Sequence, residues 1–185
     1  MKAAFVRMGS RGLIAALMAI VAVTAGAQTV QRLELELRLG LSMPLEPYHH
    51  SDYVIGPALA VEGRSNFPES AWDVGVTLWV TTAVHKFDQE WEQSNRSIAF
   101  AITGDYNFRK GSRVSPFVGA VAGVSFRDAL NDVLYPSSGT SPIFAPRAGI
   151  EFWNRWRLTY TLGFTHRGFN NQELSIGFVF GGRPR

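Results

Sequence analysis

The 185-residue chain contains no cysteine. That absence excludes a disulfide framework, and it excludes a lipid-modified N-terminal cysteine as well. Long apolar runs are equally scarce. Beyond the first 27 residues no stretch stays apolar for the ~18 residues a membrane-spanning helix requires. Charge of one sign is also missing once the N-terminus is set aside. Lys2, Arg7 and Arg11 fall in a leader that holds no Asp or Glu; removing them from the 18 Lys and Arg leaves 15, matched by 15 Asp and Glu. The sequence pI of about 9.5 is therefore largely a property of the leader. No cationic surplus remains to neutralise phosphates, and nucleic acid is not an expected partner.

The leader itself has a basic flank, an apolar core from Leu13 to Val23, and the small residues Ala25-Gly26-Ala27 before Gln28. That is the three-part pattern of a secretory signal with an A-x-A cleavage site. The core, roughly 11 residues, is well short of the ~20 that cross a bilayer. Residues 1–27 are thus expected to be a cleaved signal peptide and 28–185 one exported domain. Without disulfides, such a domain must draw its stability from ordinary packing or from a membrane.

What fills that domain is alternation. Leu33, Leu35, Leu37, Leu39 and Leu41 recur at every second position, with Glu34, Glu36, Arg38, Gly40 and Ser42 between them. On a helix this spacing would scatter leucine around the whole circumference, whereas on a strand it gathers all five on one face. The pattern returns over 53–64, 71–83, 97–108, 116–127, 143–152, 156–166 and 172–181. Eight strands are an even count, as a closed antiparallel barrel with both termini at one end requires. Links at 65–70, 109–115 and 153–155 are short; those at 43–52, 84–96 and 127–142 are longer, and the one at 167–171 is short again. Short turns in the periplasm and longer loops outside are the arrangement of membrane barrels.

The composition of the two faces separates a membrane barrel from a soluble one. The polar face is rich in Gly, Ala, Ser and Thr, which suit the crowded interior of an eight-stranded barrel. Aromatic residues gather near both strand ends: Phe108, Phe152, Trp153, Trp156, Phe178 and Phe180 at the short turns, and Tyr53, Phe126, Phe144 and Phe164 at the longer links. Two such girdles mark membrane–water interfaces. The expected fold is all-β, an eight-stranded antiparallel up-and-down transmembrane β-barrel with its apolar face in lipid. Charges on the polar face are mixed: Glu34, Glu36, Glu62, Asp73, Asp105, Glu151 and Glu173 against Arg38, Arg64, Arg147 and Arg157. Burial demands that they pair across the lumen. Glu34, Glu36, Arg38, Arg147, Glu151, Arg157 and Glu173 are the candidate network, and Trp79 on the same face would help plug the bore.

Asn107-Phe108-Arg109-Lys110-Gly111-Ser112-Arg113, followed by Ser115-Pro116-Phe117-Val118-Gly119-Ala120, resembles a periplasmic turn and fifth strand of the small outer-membrane β-barrel family, OmpX-like and OmpA membrane-domain-like. Leu174-Ser175-Ile176-Gly177-Phe178-Val179-Phe180 is similar to that family's terminal strand, here followed by Gly181-Gly182-Arg183-Pro184-Arg185. The resemblance implies export by the general secretory route, insertion by the barrel-assembly machinery, outer-membrane lipid as surroundings, a monomer and no cofactor. It also raises the lipid A deacylases among small barrels, which use a His and a Ser two residues apart with a nearby acid. The nearest counterpart is Thr165-His166-Arg167-Gly168 with Glu173, where Gly168 replaces the hydroxyl that His166 would have to activate. His49-His50 with Asp52, and His85 with Asp88 and Glu90, lack the matched further ligand of a metal centre. Phe87 and Trp91 on an outer loop are candidate contacts for an extracellular ligand. The expected role is structural or surface-interacting without catalysis. A lipid A deacylase-like enzyme and a narrow low-conductance pore are the alternatives.

Overall fold

In a computed structural model the described residues are 33–45, 51–67, 70–87, 91–110, 112–130, 138–153, 155–166 and 168–181. The signal peptide inferred for 1–27 lies outside them, as do His49, His50, Asp88 and Glu90. Every described element is a strand. β1 is Leu33–Pro44; β2 comprises Ser51–Val54 and Gly56–Asn66; β3 is Trp72–Phe87; β4 is Trp91–Asn107; β5 is Val114–Leu130; β6 is Gly139–Phe152; β7 is Trp156–Gly163; β8 is Asn171–Phe180. Each pairs antiparallel with its neighbours in sequence, and β1 pairs β8, so the sheet closes. Among the described residues the fold is a closed eight-stranded up-and-down barrel.

Alternation decides which residues face in. Ala99, Ala101, Thr103 and Asp105 on β4 are buried, while Phe100 and Ile102 between them are 61% and 63% exposed. Leu39 and Leu41 on β1, Val74 and Val76 on β3, and Leu174 and Ile176 on β8 are likewise exposed. An apolar exterior around a polar interior inverts a water-soluble barrel and matches one whose solvent is lipid. At the end where β1 begins and β8 finishes, here the turn end, aromatic rings pack edge to face: Trp72 on Tyr106 at 5.3 Å, Trp156 on Phe178 at 4.9 Å and Phe178 on Phe180 at 4.7 Å. Phe126, Phe144 and Phe164 are exposed toward the opposite, loop end.

Two departures from the sequence reading concern strand length and register. The expected loop 84–96 is mostly ladder: β3 and β4 stay paired from Trp72↔Tyr106 out to Phe87↔Trp91, leaving only 88–90 as the link. Polar residues such as the register partners Lys86 and Glu92 interrupt the hydrophobic period-two signal, yet a strand continues wherever its neighbour offers backbone partners. Phe87 and Trp91 are therefore register partners closing a hairpin; their side chains, like those of His85 and Tyr53, lie outside the described residues. The second departure is a β-bulge in β2. Val54 pairs Val84 and Ala58 pairs Thr81, so the bulged strand spends one residue more than its partner. Gly56 lies in this step, where a Cβ would come within 2.1 Å of the Thr82 carbonyl oxygen.

Candidate functional site: the charged lumen

Glu34, Glu36 and Arg38 rise along the inner face of β1 from the turn end toward the loop end. Glu62 and Arg64 face them from β2, Asp105 from β4, Arg147 and Glu151 from β6, Arg157 from β7 and Glu173 from β8. Apart from partly exposed Glu151, all are buried. Arg147 is the hub. Its Nε and Nη2 donate to Asp105 Oδ1 and Oδ2, both at 2.8 Å. Its Nη1 and Nη2 also donate to Glu62 Oε2 at 2.6 Å and Oε1 at 2.8 Å. One planar guanidinium thus holds two carboxylates in fork geometry, the strongest arrangement open to it.

Arg157 shares Asp105, donating from Nη2 to Oδ2 at 2.8 Å, and reaches Glu36 Oε2 at 3.4 Å. Its guanidinium lies 3.7 Å from the Phe117 ring centroid, so a cation–π contact covers one face. Arg64 donates to Glu34 at 3.2 Å and lies 3.4 Å from Glu36. Arg38 is more loosely held, 3.7 Å from Glu173 and 3.8 Å from Glu62. At the turn end Lys110 closes the floor: its Nζ donates to Asp73 at 2.6 Å and to the carbonyls of Phe67, Ser70 and Trp72.

Glycines make these contacts geometrically possible. Asp105 and Arg147 lie on β4 and β6, and both are register partners of Gly119 on the strand between them. A Cβ on Gly119 would fall 2.0 Å from Asp105 Oδ1. Arg38 and Arg157 flank Gly177 in the same way, and Glu36 lies so close over Gly177 that a Cβ there would be 2.1 Å from its Oε1. Small residues on the inner face are therefore troughs in which charged side chains from the next strands meet.

Toward the loop end the lining changes character. Trp79, only 2% exposed, packs with Ala60, Ala99, Ala101, Val121, Ile143 and Ala145. Its Nε1 donates to Glu173 Oε2 at 2.5 Å, joining this layer to the charged one. Above it Asn171 bonds Thr81 at 2.9 Å, and Ser97 and Ser125 share a bond of 2.6 Å. The segment after β7 then folds inward over the mouth. Phe169 is buried, with the Arg127 guanidinium 5.2 Å from its ring centre, and the Gly168 carbonyl accepts a bond from Asn95 at 2.7 Å. Gly168 has φ 82°, backbone that favours glycine, so its role at this turn is conformational. His166 is exposed beside it.

All seven proposed network residues face this lumen. The narrower set omitted Glu62, Arg64 and Asp105, which carry its centre, and it omitted Phe117 and Phe169. The first three were visible as polar-face charges; their centrality depends on which strands curl toward one another. Phe117 occupies an inward position by simple parity, a signal that was available. Among the described residues no cluster of His, Asp and Glu is arranged to hold a metal ion.

A closed antiparallel barrel with an apolar exterior and an ion-paired, filled lumen has the architecture of the small outer-membrane barrels. The structure of Neisserial surface protein A superposes with a TM-score of 0.56 at 11% identity, over 82% of this chain and 97% of that one. Ail of Yersinia pestis, the attachment invasion locus protein solved with the heparin analogue sucrose octasulfate, gives 0.50 at 14% identity, over 81% and 100%. No protein-family model and no curated protein matches the sequence. The likeness is one of fold.

Proposed function

We propose that the protein is an integral outer-membrane barrel with a structural or surface-interaction role and no catalytic activity. On this reading it is exported with cleavage after Ala27, inserted as a monomer by the barrel-assembly machinery, and oriented with its loop end outward. The observation that carries the reading is the pairing of an apolar exterior with a lumen filled by its own side chains. A bore occupied by Arg147, Arg157 and Trp79 supports a scaffold more than a pore. The place of a catalytic serine is taken by Gly168, whose turn geometry suits glycine, which disfavours the deacylase alternative. Specificity for any outer ligand then falls to the loop-end rim, which includes the Phe87↔Trp91 hairpin end.

Membrane fractionation tests the placement. The protein should remain in the outer-membrane fraction after an alkaline wash, migrate faster on a gel when unheated, and begin at Gln28 on N-terminal sequencing. Recovery in the aqueous fraction would overturn the lipid-facing assignment. In planar bilayers no steady conductance steps are expected, and a change in lipid A acylation on expression would contradict the non-enzymatic reading.

A further inference from the structure

The seam between β6 and β7 is built unlike the others. Phe144 and Phe164 exchange two backbone hydrogen bonds, each 2.9 Å, as an isolated bridge beyond the end of β7. In an antiparallel ladder mutually bonded positions recur at every second residue. On β6 the flanking positions of this kind are Pro142 and Pro146, and proline has no N–H to give. The β6–β7 ladder accordingly runs only from Phe152↔Trp156 to Arg147↔Thr161. The β5–β6 ladder continues past both prolines to Arg127↔Gly139. The prolines thus strip donors from one edge of β6 and leave the other intact.

Against this weakened seam lies a groove of about 430 Å³. Pro142, Ile143, Phe144 and Phe164 form its apolar part; Thr165, His166 and Asn170 form its polar end. Ile143 belongs to the buried lumen packing, whereas Phe144 and Phe164 are about half exposed on the outer wall. The groove therefore runs from the lipid-facing belt to the edge of the core. Its volume lies within the roughly 300–1,000 Å³ of small-molecule sites, and it opens onto the outer wall, so it takes a segment of one hydrocarbon chain and not a whole multi-chain lipid. Within that end Thr165 Oγ1 shares a 2.7 Å hydrogen bond with Ser141, and Asn170 Oδ1 accepts from the Thr165 N–H at 2.8 Å. His166 is exposed, and none of the three is a carboxylate, so a ligand here meets the imidazole, and the polar end suits an acceptor-rich, anionic group.

We propose that this groove binds a single-chain anionic amphiphile drawn from the membrane, a fatty acid. Its chain lies along Ile143, Phe144 and Phe164, and its carboxylate meets His166 at the polar end. The occupant follows from continuity with the apolar belt on one side and from the position of the polar residues at the rim, where headgroups lie. The inference rests on the proposed membrane placement.

The test uses the mature protein in phosphatidylcholine nanodiscs with a diazirine-bearing palmitic acid, and peptide mapping of the cross-links. Labelling at 142–144 and 164–170 should exceed that at exposed belt positions such as Ile102 and Leu174 by several-fold. Excess palmitic acid should compete for it and methyl palmitate should not. His166→Ala should weaken the competition, and Pro142→Val, which restores a backbone donor to the seam, should lower the groove labelling. Uniform labelling around the belt, or indifference to both substitutions, would overturn the groove while leaving the membrane placement intact. Absence of label from the whole belt would overturn the placement itself.

Discussion

The two halves of the lumen solve the same problem with different chemistry. From Lys110 up to Arg38 the bore is filled by ions; from Trp79 up to Phe169 it is filled by apolar and hydroxyl-bearing side chains. In the charged half each guanidinium is shared among two or more carboxylates, so the fill is a single coupled object. In the upper half neighbouring groups pack or bond pairwise. A buried ion network is sensitive to the loss of one partner, because the remaining charges stay in place without compensation. A packed layer is sensitive to lost volume. The contrast implies that the halves fail in distinguishable ways.

The sharpest way to break the comparison is Arg147→Met, which leaves Glu62 and Asp105 facing each other without their shared cation. It should cost about 3–5 kcal/mol, measured by urea unfolding from lipid vesicles. Adding Glu62→Gln, which removes one of the two carboxylates and leaves Asp105 on Arg157, should return part of that loss, since one cation and one anion are then gone together. A double variant as unstable as the single one would show that the half is held by packing instead. Trp79→Ala should cost about 3 kcal/mol as a cavity in the upper layer. It should also produce conductance steps in planar bilayers that Arg147→Met does not. Equal conductance from both would erase the distinction between a sealing half and an ion-paired half. The smallest effect expected is from Asn95→Ala. Losing its bond to the Gly168 carbonyl should cost about 1 kcal/mol and raise amide exchange at Phe169 and Asn170, leaving the charged half protected.

Much of this was legible in the sequence because a barrel writes its inside and outside at period two. The leucines of β1 and the Gly119–Ser125 alternation of β5 assign faces residue by residue, and those faces are the observed ones. Length was less legible. Beyond the apolar belt, β3 and β4 continue through the paired positions Lys86 and Glu92, where the hydrophobic alternation lapses in the sequence and the neighbouring backbone sustains the strand. The network was half legible for a related reason. Parity shows that Glu62, Arg64 and Asp105 point inward, but the choice of Arg147 as partner depends on Gly119 lying between their strands, which is a property of register. Phe169 was missed because a short polar link gives no sign that it folds inward over the mouth.

The uneven strand lengths have a consequence for how the molecule meets its surroundings. β3, β4 and β5 run 16, 17 and 17 residues, while β7 and β8 on the far side run 8 and 10. A crossing needs about 9–11 residues, so the longer strands carry roughly 20 Å of extra ladder at about 3.3 Å per residue. The short turns at the other end leave that surplus at the loop end, on one side of the rim. In the membrane placement proposed above, a neighbour sliding up to β7 and β8 in the plane of the bilayer would meet a nearly flush edge, whereas one approaching β3–β5 would meet a parapet above the headgroups. Side-by-side contacts in a crowded leaflet would then depend on azimuth, and anything arriving from outside would touch the high wall before it reached the covered mouth.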